Sequence, residues 1–300
     1  METQVANGVS AKFGYYPAVC NITTERFSVY TLSSLNRDVN IIENDPNIHN
    51  DWIYPNVALQ HEIGSGQVRT LPFTTRIFSL PKTHVLTLHE SQNKADLDFV
   101  VWCISFFTGM RLTITEADYL DATPIKQGKL VDFIFSCCAL EEVINLALDY
   151  LKTEHNNFRA TKRVIAAIHA LFLSQFPQSL PFERFQYIYM ALDTCFKLIA
   201  TKSNPRKRLN HAERVQWMCK NFDMPVPSWA ITVEGTSDIS LVRNDTIHEA
   251  LFFDEPLGFS IYGGNQSARD SANIILQMQN MVCRLYSSNF GKTQCYLCSN

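Results

Sequence analysis

The chain has no long hydrophobic run. Among its 300 residues no stretch approaches the roughly 18 consecutive apolar residues of a spanning helix. The opening residues Met1-Glu2-Thr3-Gln4-Val5 lack the basic start and apolar segment of a secretion signal. Neither a membrane partner nor export is therefore expected. Glycine is scarce, with 11 residues, and the step Gly64-Ser65-Gly66 has no following lysine or helix of the phosphate-loop kind, so it reads as a turn. No Ser-His-Asp or Cys-His constellation can be assembled from the order of residues. There is no internal repeat and no low-complexity tract. His84 and His89 lie five apart on a strand and its exit and face opposite ways, a poor ligand pair.

Nine cysteines, odd in number and scattered, argue for reduced thiols in a cytoplasmic protein. Cys103, Cys137, Cys138, Cys195 and Cys283 fall within helical apolar patterns and read as small core fillers. Cys295 and Cys298 have the spacing of half a zinc clamp, but no second half stands at a usual distance. The expectation is therefore no metal and no cofactor, with 291–300 a flexible tail.

What is present is a chain 46% hydrophobic and 18% charged, long enough for about two domains. The expected fold class is α+β. Short alternating pieces at 26–30, 74–78 and 83–88 make 1–92 a β-rich N-terminal domain. From Ala95 the period is helical, over 95–108, 129–152, 157–175, 181–202, 210–221, 240–253 and 266–288. Residues 93–155 are expected to form a helical connector packed on a mainly helical domain at 156–290.

Net charge is only −3, yet it is unevenly spread. Residues 157–220 carry eleven Arg or Lys against three acids, while 221–260 carry seven acids and a single base, Arg243. A basic helical stretch beside an isolated arginine suits guidance of phosphates. Arg206, Lys207, Arg208 and Arg214 are its candidate RNA-binding residues.

The one segment that suggests chemistry is Arg243-Asn244-Asp245-Thr246-Ile247-His248. An arginine and a histidine together offer a fixed cation for a developing phosphorane and a side chain that titrates near neutral pH. Spacing alone does not select this pair, because about one Arg-His match at such spacing is expected by chance and three occur. Arg163 and His169 lie in one helix at an offset that turns them to different faces. Arg206 belongs to a basic turn, and His211 opens the next helix behind an Asn210 cap. Only Arg243 is followed by a compact amide and comes from a Gly/Ser/Asp-rich loop, Glu234 to Asp238, into a helix.

The pattern Arg-Asn-x-x-x-His resembles the HEPN superfamily (higher eukaryotes and prokaryotes nucleotide-binding). The flanking helices Phe182 to Asp193 and Asn210 to Arg214, and the Val226-Pro227 stop, are similar to the Apea-like HEPN proteins of bacteria. The resemblance covers residues 157 to 290, with a weaker echo in Phe107-Thr108-Gly109 and Leu120 to Pro124. It implies a HEPN-like helical bundle and metal-independent endoribonuclease chemistry that leaves 2′,3′-cyclic phosphate and 5′-hydroxyl ends. In such a site His248 is the general base or acid, Arg243 holds the phosphate, and Asn244 orients His248 or bonds the phosphate. Asp193 would pin Arg243, and Glu249 would support the motif. The resemblance further implies a homodimer whose two motifs face each other, giving two proton-transfer groups. It implies a toxin or abortive-infection effector acting on tRNA or mRNA, with an antitoxin or sensor partner or with the N-terminal domain as its restraint. Two other classes fit the same residues: a catalytically inactive interaction module, and a regulator that holds a nucleotide phosphate without cutting it.

Overall fold

The computed structural model describes residues 8–131, 139–206, 208–248 and 268–291, with side chains from 274 onward in the last segment. The chain divides into two compact units, Met1–Thr153 and Glu154–Asn300. Both α and β structure are present, as expected.

In the first unit, β1 (Val9–Phe13), β2 (Ile22–Thr23) and β3 (Phe27–Thr31) precede α1 (Leu35–Glu43). Five further strands follow: β4 (Ile48–His49), β5 (Trp52–Ile53), β6 (Val57–His61), β7 (Val68–Thr74) and β8 (Ile77–Phe78). The unit then runs through β9 (His84–Leu88), α2 (Lys94–Thr108), β10 (Tyr119–Leu120), β11 (Thr123–Pro124) and α3 (Leu140–Thr153). Its main sheet has the order β1-β9-β3-β2 and is antiparallel throughout, Val9 and Phe27 both standing opposite Leu88. Phe13, Phe27, Val29, Leu86 and Leu88 are buried, forming an apolar face on which α2 packs. Gly64 and Gly66, both at positive φ, turn the β6–β7 hairpin, as the sequence predicts.

Two expectations for this unit are corrected. The predicted connector at 93–155 does not form a separate piece, because α2 lies against β1, β9 and α3 within the first unit. The helix predicted over 129–152 starts at Leu140. Before it, Gly128 and Leu130 give their N–H groups to Thr108 and Gly109 at the end of α2. Those bonds hold the chain against a left-handed Gly109 (φ 61°), where an added Cβ would stand 2.8 Å from the Gly128 Cα.

The second unit is helical: α4 (Phe158–Leu173), α5 (Pro181–Ser203), α6 (His211–Asn221), a 3₁₀ turn (Ser228–Ala230), α7 (Asp238–His248) and α8 (Ala268–Asn289). The central helix is α5, packed against α4 and α8, with α6 and α7 against its remaining surface. Phe185, Ile188, Leu192, Cys195 and Ile199 are buried along it, the three-to-four spacing of an amphipathic stripe. Cys103 and Cys195 are unbridged and buried, and burial pushes the Cys195 thiol up to about 12. Cys283 is also buried. Cys137, Cys138, Cys295, Cys298 and the expected tail lie outside the described residues, as do Lys207 and Glu249. No helix among the described residues is long and apolar enough to cross a membrane.

Candidate functional site

Helix α5 begins with Pro181, whose fixed φ suits the first helical position. The Glu183 carboxylate accepts from the Leu180 N–H at 2.8 Å, satisfying one orphan donor. Four-residue steps along the helix put Tyr189, Asp193 and Lys197 on one face. Helix α6 opens on a reciprocal cap. Asn210 Oδ1 accepts from Glu213 N, and Glu213 Oε2 accepts from Asn210 N, both at 3.0 Å. His211 and Arg214, three apart on the first turn, therefore share the face that meets α5.

There the groups join. Arg214 donates to Asp193, and Lys197 pairs with the same carboxylate at 2.9 Å. The Arg214 guanidinium also lies 4.8 Å from the centre of the Phe196 ring and reaches His211 Nδ1 at 3.1 Å. The Tyr189 hydroxyl stands 2.6 Å from the same nitrogen. Tyr189, Asp193, His211 and Arg214 line a shallow recess over an apolar floor from Leu192, Val215 and Met218.

Burial, helped by the Asp193 charge and opposed by the Arg243 and Arg214 charges, pushes the Tyr189 phenol up to about 12, so it stays protonated near neutrality. Asp193 is held below the usual carboxylate range: burial opposes its charge, but hydrogen bonds and charge from Lys197 and Arg214 outweigh that cost. His211 is lowered, first by burial and then by the Arg214 and Arg243 charges. Its imidazole is therefore held neutral.

The segment singled out by sequence lies wholly in α7. The cap of that helix is built from two serines: Ser237 N donates to Ser240 Oγ at 2.9 Å, and Ser240 N to Ser237 O at 2.8 Å. Buried Ile239 and Thr246 anchor the helix, which packs on α5, α6 and the 3₁₀ turn. Arg243 Nη1 stands 2.5 Å from His248 Nε2 and donates to Asn244 Oδ1 at 2.9 Å. Since guanidinium has no acceptor, His248 Nε2 carries the lone pair in this arrangement. His248 and Asn244 are exposed, whereas Arg243 is half-buried.

Arg243, Asn244 and His248 are thus brought together, though Asn244 holds Arg243 rather than His248. The motif sits inside the helix, not at its entrance. Asp193 does not pin Arg243. Its two oxygens are taken by Arg214 and Lys197, which α5 and α6 place nearer. Arg214, expected only to bind RNA, belongs to the recess. Arg206 and Arg208 are exposed in the turn between α5 and α6. The sequence places His211 at the opening of the next helix without a role in the site, and the structure makes it part of the cluster. The signal that could have found it is the pairing of Tyr189 and Asp193, four apart, with His211 and Arg214, three apart, on consecutive helices.

No family model, curated protein or solved structure matches the chain. The chemistry must therefore be argued from the side chains themselves. Among the described residues, no group of three or more His, Cys, Asp or Glu is placed to hold a metal ion. The charges that act on His211 are three cations, Arg214, Arg243 and Lys197, and the Asp193 carboxylate, while α7 itself carries Asp238 and Asp245. Among the described residues no carboxylate pairs with Arg243. Such an excess of fixed donors suits a phosphate group.

Proposed function

We propose that the protein is an endoribonuclease that cleaves RNA through the 2′-hydroxyl of the nucleotide at the cut, using Arg243 and His248. The observation that carries this reading is the direct Arg243–His248 contact, with Asn244 bracing the arginine. It puts a proton acceptor beside a fixed cation. When Arg243 turns to a phosphate oxygen, His248 Nε2 is released to take the 2′-hydroxyl proton. The 2′-oxygen then bonds to phosphorus, the bond to the 5′-oxygen breaks, and Arg243 balances the charge that develops on the phosphorane.

The departing 5′-oxygen needs a proton, and a second copy of the chain supplies it through its own His248 in a homodimer. Support for the dimer comes from α7, where Leu241 and Ile247 are about half exposed (49% and 46%) beside the pair. RNA is drawn in by the exposed cations Arg159, Lys162, Lys202, Arg206, Arg208 and Lys220. In this reading the chain is of the HEPN type and acts as a toxin or abortive-infection effector on tRNA or mRNA in the cytoplasm, restrained by an antitoxin or sensor until triggered.

The reading is tested by the ends of the products. Cleavage through the 2′-hydroxyl leaves a 2′,3′-cyclic phosphate and a 5′-hydroxyl, and a single 2′-deoxy nucleotide at the cut site blocks it. Products with 5′-phosphates, or cutting of the deoxy substrate, would sink the proposal.

A further inference from the structure

His211 has no part in the acid-base scheme above, yet more of its ring is engaged by the protein than that of His248. Two groups reach its Nδ1: the Tyr189 hydroxyl at 2.6 Å and Arg214 Nη1 at 3.1 Å. Guanidinium offers only donors, so Nδ1 must be the acceptor. The proton of the neutral ring then sits on Nε2, which has no partner among the described residues. The Nε atoms of Arg214 and Arg243 are both buried and lack acceptors among the described residues. Buried donors of that kind are rare in folded proteins and need an explanation. Three donors on neighbouring helices thus await an acceptor, while Asp193 is already shared between Arg214 and Lys197.

We propose that His211, a neutral imidazole donating through Nε2–H, forms with Arg243 and Arg214 a clamp for one phosphate group. The pieces divide the work. Arg243 and Arg214 supply charge, His211 supplies a directed neutral donor, and Tyr189 fixes the ring so that the correct nitrogen faces outward. A protonated His211 beside two guanidiniums would be a third clustered cation, and the lowering of its pKa by burial and by those same charges removes that problem. The neutral ring cannot deliver a proton readily, so the clamp binds and orients while His248 moves the proton. A single chain then holds its phosphate whether or not a second copy is docked. That the phosphate belongs to an RNA diester rests on the ribonuclease reading; the clamp itself does not.

The test uses the full chain with inorganic phosphate as the probe. Long-range proton–nitrogen NMR of the histidine rings reads the tautomer of His211 and follows its response to phosphate. The clamp predicts an Nε2-protonated ring that shifts on titration. Loss of one hydrogen bond to a charged acceptor makes phosphate binding by His211→Ala about tenfold weaker. His211→Gln, which keeps a donor near the same place, binds within about threefold of the original protein. In His248→Ala, which loses cleavage, the His211 ring still shifts on phosphate titration. An Nδ1-protonated ring, no response of the ring to phosphate, or a His211→Ala protein with its original melting temperature and phosphate affinity would each overturn the clamp. The two readings fail separately. Phosphate bound as described with RNA left whole removes the ribonuclease and supports the clamp, whereas RNA cut by a protein whose phosphate affinity ignores His211 does the reverse.

Discussion

Arg243 and His248 are five positions apart on one helix, an offset of about 140°. The same periodicity that sets Arg163 and His169 apart would have set this pair apart too. What joins them is the reach of the arginine, whose long side chain bends back along the helix and is braced by Asn244. Sequence singled out two residues that the structure brings together, but it placed the motif at a helix entrance and not within the helix. Truncating Arg243 removes the fixed cation, so Arg243→Ala is expected to slow RNA cleavage by about 10²- to 10³-fold. Arg243→Lys should recover little of it, because an ammonium cannot present the same planar fork; single-turnover assays decide.

A second residue-scale prediction concerns His84. Its ring is fully buried, bonded to Thr31 and Thr83 and packed against Phe13 and Tyr16. Burial pushes its pKa down to about 4, from an ordinary 6.5. The unfolded chain binds that proton more readily, so the full contribution to stability is present above about pH 6.5 and is lost as the pH falls toward 4. Denaturant unfolding at pH 4.5 should show about 2–3 kcal/mol less stability from this group than at pH 7. His84→Gln should flatten that part of the profile, and an unchanged profile would contradict the assignment.

At the scale of elements, the long helices were readable and the short pieces were not. α2, α4, α5, α6 and α8 begin and end within two residues of the predicted spans, because each has a sustained apolar stripe and most have a stop in Gly, Pro or Asn. α1 went unseen. It is nine residues long, its Ser34 cap makes no side-chain bond, and Asn36, Arg37, Asn40 and Asn44 crowd it with turn formers and charge. Strands of two residues, such as β4, β5 and β10, are too short for alternation to register. The pairing of α5 with α6 was invisible for another reason: which acid meets which arginine depends on how two helices pack, not on either sequence. Asp193 is the link between them. Asp193→Asn should leave Arg214 and Lys197 without their carboxylate and cost about 1–3 kcal/mol near pH 7. Since its folded pKa is lowered, that contribution is present above the ordinary carboxylate range and lost as the pH falls below it. Thermal melts at pH 7 and pH 3 check both statements. Equal losses at the two values would contradict them.

At the scale of the whole molecule, the division of charge was legible from sequence and coincides with the division into units. Met1–Thr153 has eleven basic against seventeen acidic residues, and Glu154–Asn300 has fifteen against twelve. The sequence sets 93–155 apart from the β-rich part because α2 and α3 share the helical period of the second unit, whereas by packing they belong to the first. If the exposed cations of the second unit guide RNA, its affinity falls steeply with salt. Replacing Arg206 and Arg208 together by Ala should lower the slope of log affinity against log salt by about 0.7 for each phosphate that is no longer neutralised. Fluorescence anisotropy over a salt series measures this, and an unchanged slope would move the RNA path elsewhere.

The central claim is that Arg243 and His248 cut RNA through its own 2′-hydroxyl. The most direct test incubates the full chain, and His248→Ala confirmed to keep its melting temperature, with total RNA and a matched single-stranded DNA in excess EDTA. The account predicts cleavage of RNA alone, lost in the variant. Cleavage that survives His248→Ala, or that stops in EDTA, or that includes the DNA, would contradict it.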